Sequence, residues 1–154
     1  MPVKDWGGRK IVELEWQGPK MFSLNRLPET VPDYRGVYLF SSRKGLYDYS
    51  SGMSSVAYIG SGQVARRLPA HVSRNPRVQN VLENESTMWF WYARVAQGLH
   101  ECVEQHLFED FVDRHGENPI LNVVRPPCSL EWRSVTVRHS GLNFPFDFSR
   151  KDFP

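Results

Sequence analysis

Four arginines, Arg66, Arg67, Arg74 and Arg77, fall within a dozen residues that contain no acid, and His71 stands among them. Directly before them runs "VAYIG", residues 56 to 60, an apolar stretch that carries Tyr58 and closes on Gly60. Such a block creates a local positive field even on a nearly neutral protein, so it suits a surface that meets phosphate. A solvated basic face is the competing reading of the charges alone. A second tyrosine, Tyr38, lies in another apolar run, "GVYLF". A phenol ionises near pH 10, so one that takes up a proton needs cations beside it. Arg67 and His71, four residues apart and therefore on one helical face, are of the kind to supply them. Glu104 is one position round from the apolar pair Val103 and Leu107. A carboxylate at the rim of a core stripe is half buried and suits a hard divalent ion such as Mg2+ or Mn2+, with water and substrate oxygens as the remaining ligands. A boundary glutamate paired with His100 is the alternative.

These groups must be positioned by ordinary elements. "KIVELEW" from Lys10 is the one strand candidate of the first thirty residues, and "LPETVPDYRG" is a proline-punctuated approach. The runs "GVYLF" (36 to 40) and "VAYIG" (56 to 60) are β-branched and aromatic, hence buried strands, expected to pair as an antiparallel hairpin across a serine-rich loop, 41 to 55. The stretch "SGQVARRLPAHV" enters a short helix that Pro69 is expected to break, and "RVQNVLEN" forms a second. The aromatic run "STMWFWYARV" reads as the strongest strand, with core packing favoured over an open surface for stacked bases. In "GLHECVEQHLFEDFVDRHG", Leu99, Val103, Leu107 and Phe111 recur every fourth residue and Gly116 caps the helix. "EWRSVTVRH" is a final strand, followed by the aromatic tail "NFPFDFSRKDFP". The order predicts an α+β fold: a central antiparallel three-stranded sheet flanked by helices, with extra strands at the N- and C-terminal ends whose pairing is left open.

The 154 residues suit one domain, and neither a membrane-crossing apolar run nor a signal-peptide core is present. Cys102 and Cys128 have no metal-type spacing and read as reduced thiols of a cytoplasmic protein. The helix histidines His100, His106 and His115 lack zinc-ligand spacing and are expected not to be ligands.

Taken together, "GVY" at 36 to 38, "YIG" at 58 to 60, "RLPAH" at 67 to 71, Glu104 and Asn122 resemble the GIY-YIG nuclease family, in that order along the chain. The resemblance covers residues 31 to 125, with 1 to 30 and 126 to 154 as extensions. Nineteen residues, 39 to 57, separate the tripeptides, about twice the family's usual gap, and the step from "YIG" to Arg67 is one residue shorter than in the repair members. That shortening leaves Arg66 as a rival to Arg67, which is favoured because Leu-x-x-His keeps phase with it.

The resemblance implies metal-dependent hydrolysis of phosphodiester bonds in DNA, which requires charge neutralisation, an activated water and a sink for leaving-group charge. It makes Tyr38 the base or base partner and has Tyr58 position the water or phosphate. Arg67 holds the scissile phosphate, and His71 binds the same oxygens or takes a proton from the water. Glu104 carries the metal, and Asn122 orients a metal-bound water or braces the loop beneath Glu104, unless it is only a turn residue. Gly60 lets phosphate approach the backbone, while Arg66, Arg74 and Arg77 bind nucleic acid. A binding subunit without activity is the alternative. So is a nuclease that depends on a protein partner or a second copy, in a defence or mobile-element system, because the tail's phenylalanines need cover.

Overall fold

In the computed structural model the described residues are 3–4, 10–96, 98–123, 133 and 135–140. Cys128, residues 131, 132 and 134 of the last expected strand and the aromatic tail lie outside them. In chain order the elements are β1 (Val3–Lys4), β2 (Lys10–Glu15), β3 (Gln17–Phe22), β4 (Arg35–Ser42), β5 (Tyr47–Tyr49), β6 (Gly52–Ser54), β7 (Val56–Gln63), α1 (Val64–Arg74), α2 (Pro76–Glu85), β8 (Met88–Arg94), α3 (His100–His115) and β9 (Val135–Ser140). The fold is mixed α+β, and no described helix is long and apolar enough to cross a membrane.

The expected hairpin is present: β4 and β7 pair antiparallel, with Tyr38 opposite Gly60 and Phe40 opposite Tyr58. The central sheet, however, has four strands rather than three, in the order β3-β8-β4-β7. The additional strand, β3, contains Gly18 and Pro19, residues that speak against a strand in sequence. Its edge position accommodates them, since its register shifts between Gln17 and Lys20 and only one side needs ladder bonds. The serine-rich stretch also departs from expectation by carrying a small hairpin, β5 with β6. Glu85 at the end of α2 fastens it, accepting hydrogen bonds from Ser42 Oγ at 2.6 Å and Tyr47 Oη at 2.7 Å. At the chain's two ends, β2 and β9 pair in parallel, and β1 adds to β2.

Two cores lie on opposite faces of the central sheet, as strand alternation requires. Val37, Leu39, Ile59, Trp91 and Ala93 pack with Val103, Leu107 and Phe111 of α3 and with Val12, Leu14 and Val135 of the small sheet. Tyr38, Phe40, Phe90 and Tyr92 pack with Val64, Leu68 and Val72 of α1 and with Val78 and Leu82 of α2. Phe90, Trp91 and Tyr92 are thus buried, on both faces of the sheet, so these three rings are core. Trp89, only partly buried, has the Arg43 guanidinium 4.7 Å above its ring.

Pro69 does not break α1, contrary to expectation: the helix passes through it. A mid-helix proline costs about 3 kcal/mol. Burial of Val64, Leu68 and Val72 on one stripe, about 1.5–3 kcal/mol each, outweighs that, and Pro69 itself is on the exposed side. At the start of α2, Asn75 Oδ1 accepts from the backbone N–H of Arg77 at 3.1 Å and of Val78 at 3.4 Å, with Pro76 as the first helical residue. Helix α3 ends where Gly116 turns left-handed, at φ 78°.

Candidate active site

The candidate residues meet at the outer edge of β7. Tyr38 and Tyr58 are diagonal neighbours on the face covered by α1, their ring centroids 6.0 Å apart. Tyr38 is fully buried between Phe40, Phe90, Tyr58 and His71. Tyr58, partly exposed, is the phenol that solvent reaches. The space over Gly60 is filled by the Tyr38 ring, because a methyl group there would meet its Cζ and Oη at 2.5 Å. Gly60 therefore makes room for a core tyrosine, where the sequence suggested room for phosphate. Gly60→Ala is expected to lower stability by about 1–3 kcal/mol, since the ring is wedged on every side and overpacking has no outlet. A urea unfolding midpoint equal to the parent's would contradict this.

The stripe that buries Leu68 and Val72 also carries His71 inward, 6% exposed. His71 Nε2 lies 2.8 Å from Tyr38 Oη, and its Nδ1 lies 3.1 Å from Asn75 Nδ2. Burial and the nearby Arg67 charge push its pKa down to about 4. With both nitrogens engaged, His71 has no free atom for a water or a phosphate, and the two roles expected of it are not available.

Arg67, and not Arg66, faces the site. Its stem runs over Gly62, and its Nε donates to Tyr38 Oη at 3.4 Å. Its charge also counters the effect of burial on the Tyr58 phenol. Burial nevertheless holds both tyrosines above the ordinary phenol value, and the Glu104 charge adds to the rise at Tyr58. Arg66, Arg74 and Arg77 are exposed on α1 and the start of α2. Among the described residues no carboxylate pairs with any of these four arginines. Beside them, Arg67, His71, Arg74, Asn75 and Pro76 line an open depression of about 260 Å³.

Glu104 comes from the other side of the sheet. Strand alternation turns Ser61 towards α3, and its hydroxyl donates to Glu104 Oε1. Burial raises the carboxyl's pKa, while the Ser61 bond and the Arg67 charge work against the rise. Glu104 is thus within electrostatic reach of Arg67 and of both phenols. Asn122, which follows α3, spends its whole amide on one residue: Oδ1 accepts from Ile59 N and Nδ2 donates to Ile59 O, both at 3.0 Å. It acts as a missing strand and braces the backbone between Tyr58 and Gly60. Leu121 N also donates to Ala57 O at 2.8 Å. This splint ends at Ile59. Two residues on, alternation points the Ser61 N–H and C=O to the same open edge, beside Glu104.

Among the described residues no three His, Cys, Asp or Glu side chains converge on one point. The donor set here is one half-buried carboxylate with a hydroxyl and a strand edge, all oxygen and amide. It fits a hard ion such as Mg2+ that keeps most of its water, and it does not fit zinc.

Ser61 and Asn75 were not singled out in the sequence. Ser61 directly follows "YIG", and strand alternation alone assigns it to the α3 face. Asn75 carries the Asn-Pro signature of a helix start and follows His71 by four residues. Compared with protein-family models, curated proteins and solved structures, the chain matches none.

Proposed function

We propose that this chain is a divalent-metal-dependent endonuclease of the GIY-YIG kind acting on DNA. The observation that carries the reading is the meeting of Tyr58, Tyr38, Arg67 and Glu104 at one open strand edge, next to Arg66, Arg74 and Arg77, which pair with no carboxylate among the described residues. In this reading Glu104 holds the metal, which neutralises charge on the phosphate. Arg67 grips a non-bridging oxygen of the scissile phosphate and stabilises charge as it builds. The outward Ser61 N–H is a further donor for that oxygen, and Ser61 Oγ fixes the carboxylate. Arg66, Arg74 and Arg77 track the flanking backbone.

The burial pattern exchanges the roles expected of the two phenols. Tyr58, open to solvent, faces the attacking water and receives its proton. Tyr38, sealed behind it, donates to the Tyr58 oxygen and supports the phenolate. His71 stands one step further back, as a support for Tyr38.

The test is incubation of the purified protein with end-labelled duplex DNA, single-stranded DNA and RNA, with magnesium and with EDTA. Cleavage of DNA with magnesium only is the expected result. A gel shift that is indifferent to magnesium and releases no product would replace the enzyme with a binding module.

A further inference from the structure

We infer that Asn75 fixes the tautomer of His71 and thereby points the Tyr38 hydroxyl at Tyr58. The hydrogen-bond order stands on geometry; only its effect on rate rests on the nuclease reading above. Asn75 Oδ1 is pinned by two backbone donors at the start of α2, the N–H groups of Arg77 and Val78. That leaves the opposite end of the amide, Nδ2, facing His71 Nδ1 at 3.1 Å. An NH2 group can only donate, so Nδ1 must present its lone pair. The buried, uncharged ring then carries its proton on Nε2, 2.8 Å from Tyr38 Oη.

Two donors consequently converge on one phenol oxygen, His71 Nε2–H and Arg67 Nε–H at 3.4 Å. The Tyr38 proton is directed away from both, and the phenol packed beside it is Tyr58, ring centroids 6.0 Å apart, so this order assigns the Tyr58 oxygen as its acceptor. With the other tautomer, Nε2 would draw the Tyr38 proton to itself and strip Tyr58 of a donor. Asn75 is therefore a positioning residue: it acts through His71 and Tyr38 on the group that takes the water's proton.

Asn75→Asp is the informative variant. Aspartate caps a helix as well as asparagine does, so the start of α2 keeps its acceptor. The second oxygen now demands a proton on Nδ1. Nitrogen-15 NMR of the histidine-labelled protein reads this directly. In the parent, His71 should be neutral with its proton on Nε2 throughout about pH 5 to 8; in the variant Nδ1 should carry a proton. On DNA, kcat should fall on the order of 100-fold with KM within about twofold, the scale of a misdirected proton transfer. A parent His71 protonated on Nδ1, or a variant spectrum identical to the parent's, overturns the assignment. A switched tautomer with unchanged kcat overturns its link to the reaction. A switched tautomer in proteins that never cut DNA upholds the role of Asn75 and sinks the nuclease reading instead.

Discussion

Glu104→Gln should abolish magnesium-dependent cleavage, with a loss on the order of 10³-fold or more, and leave the protein at least as stable as the parent at neutral pH. The amide keeps an acceptor for Ser61 Oγ but gives up the charge that holds a hard cation. Stability follows from the direction of the pKa shift. Burial raises the Glu104 pKa in the folded state, so folding favours its protonated form. A group of this kind supports the fold below its unfolded pKa and works against it once ionised, above the folded pKa. At neutral pH the neutral isostere removes that opposition. Rates and thermal midpoints of the two proteins decide the matter. A variant that cuts at the parent's rate, or that melts well below the parent at pH 7, would show that Glu104 is a structural carboxylate.

Replacing the two tyrosines should give opposite signatures. Tyr58→Phe should lower kcat by about 10²–10⁴-fold, the range for a lost acid–base group, with little change in the unfolding midpoint because Tyr58 is partly exposed. Its raised pKa gives the parent a rate that climbs with pH beyond neutrality, and removing the phenol should flatten that profile. Tyr38→Phe strands the buried His71 Nε2–H, a loss of about 1–3 kcal/mol in stability, and by removing the donor to Tyr58 slows cleavage on the order of 100-fold while the climb of rate with pH remains. A flattened pH profile in Tyr38→Phe, with the parent's profile kept in Tyr58→Phe, would reject the assigned order.

Much of the scaffold was legible because its elements advertise themselves locally. The β4–β7 pairing follows from two apolar runs, and the end of α3 from Gly116 after a four-residue stripe. Elements that obey tertiary demands against their local chemistry were not legible. β3 carries Gly18 and Pro19 and is a strand only because the edge beside β8 tolerates them. α1 holds through Pro69 because three aliphatic side chains beneath it have nowhere else to go. At the site, the types and order of Tyr38, Tyr58, Arg67 and Glu104 anticipated that they would lie near one another. Which phenol faced solvent did not, because solvent access depends on the α1 packing above Tyr38. Asn122 and His71 looked reactive by type, and both turn out to be committed to internal hydrogen bonds.

Glu104 and Arg67 belong to helices pressed against opposite sides of one sheet. If the chain is the nuclease proposed above, cutting needs both layers seated on that sheet at once. A variant that loosens α3 alone should then lose cleavage while the arginines of α1 still hold polyanions.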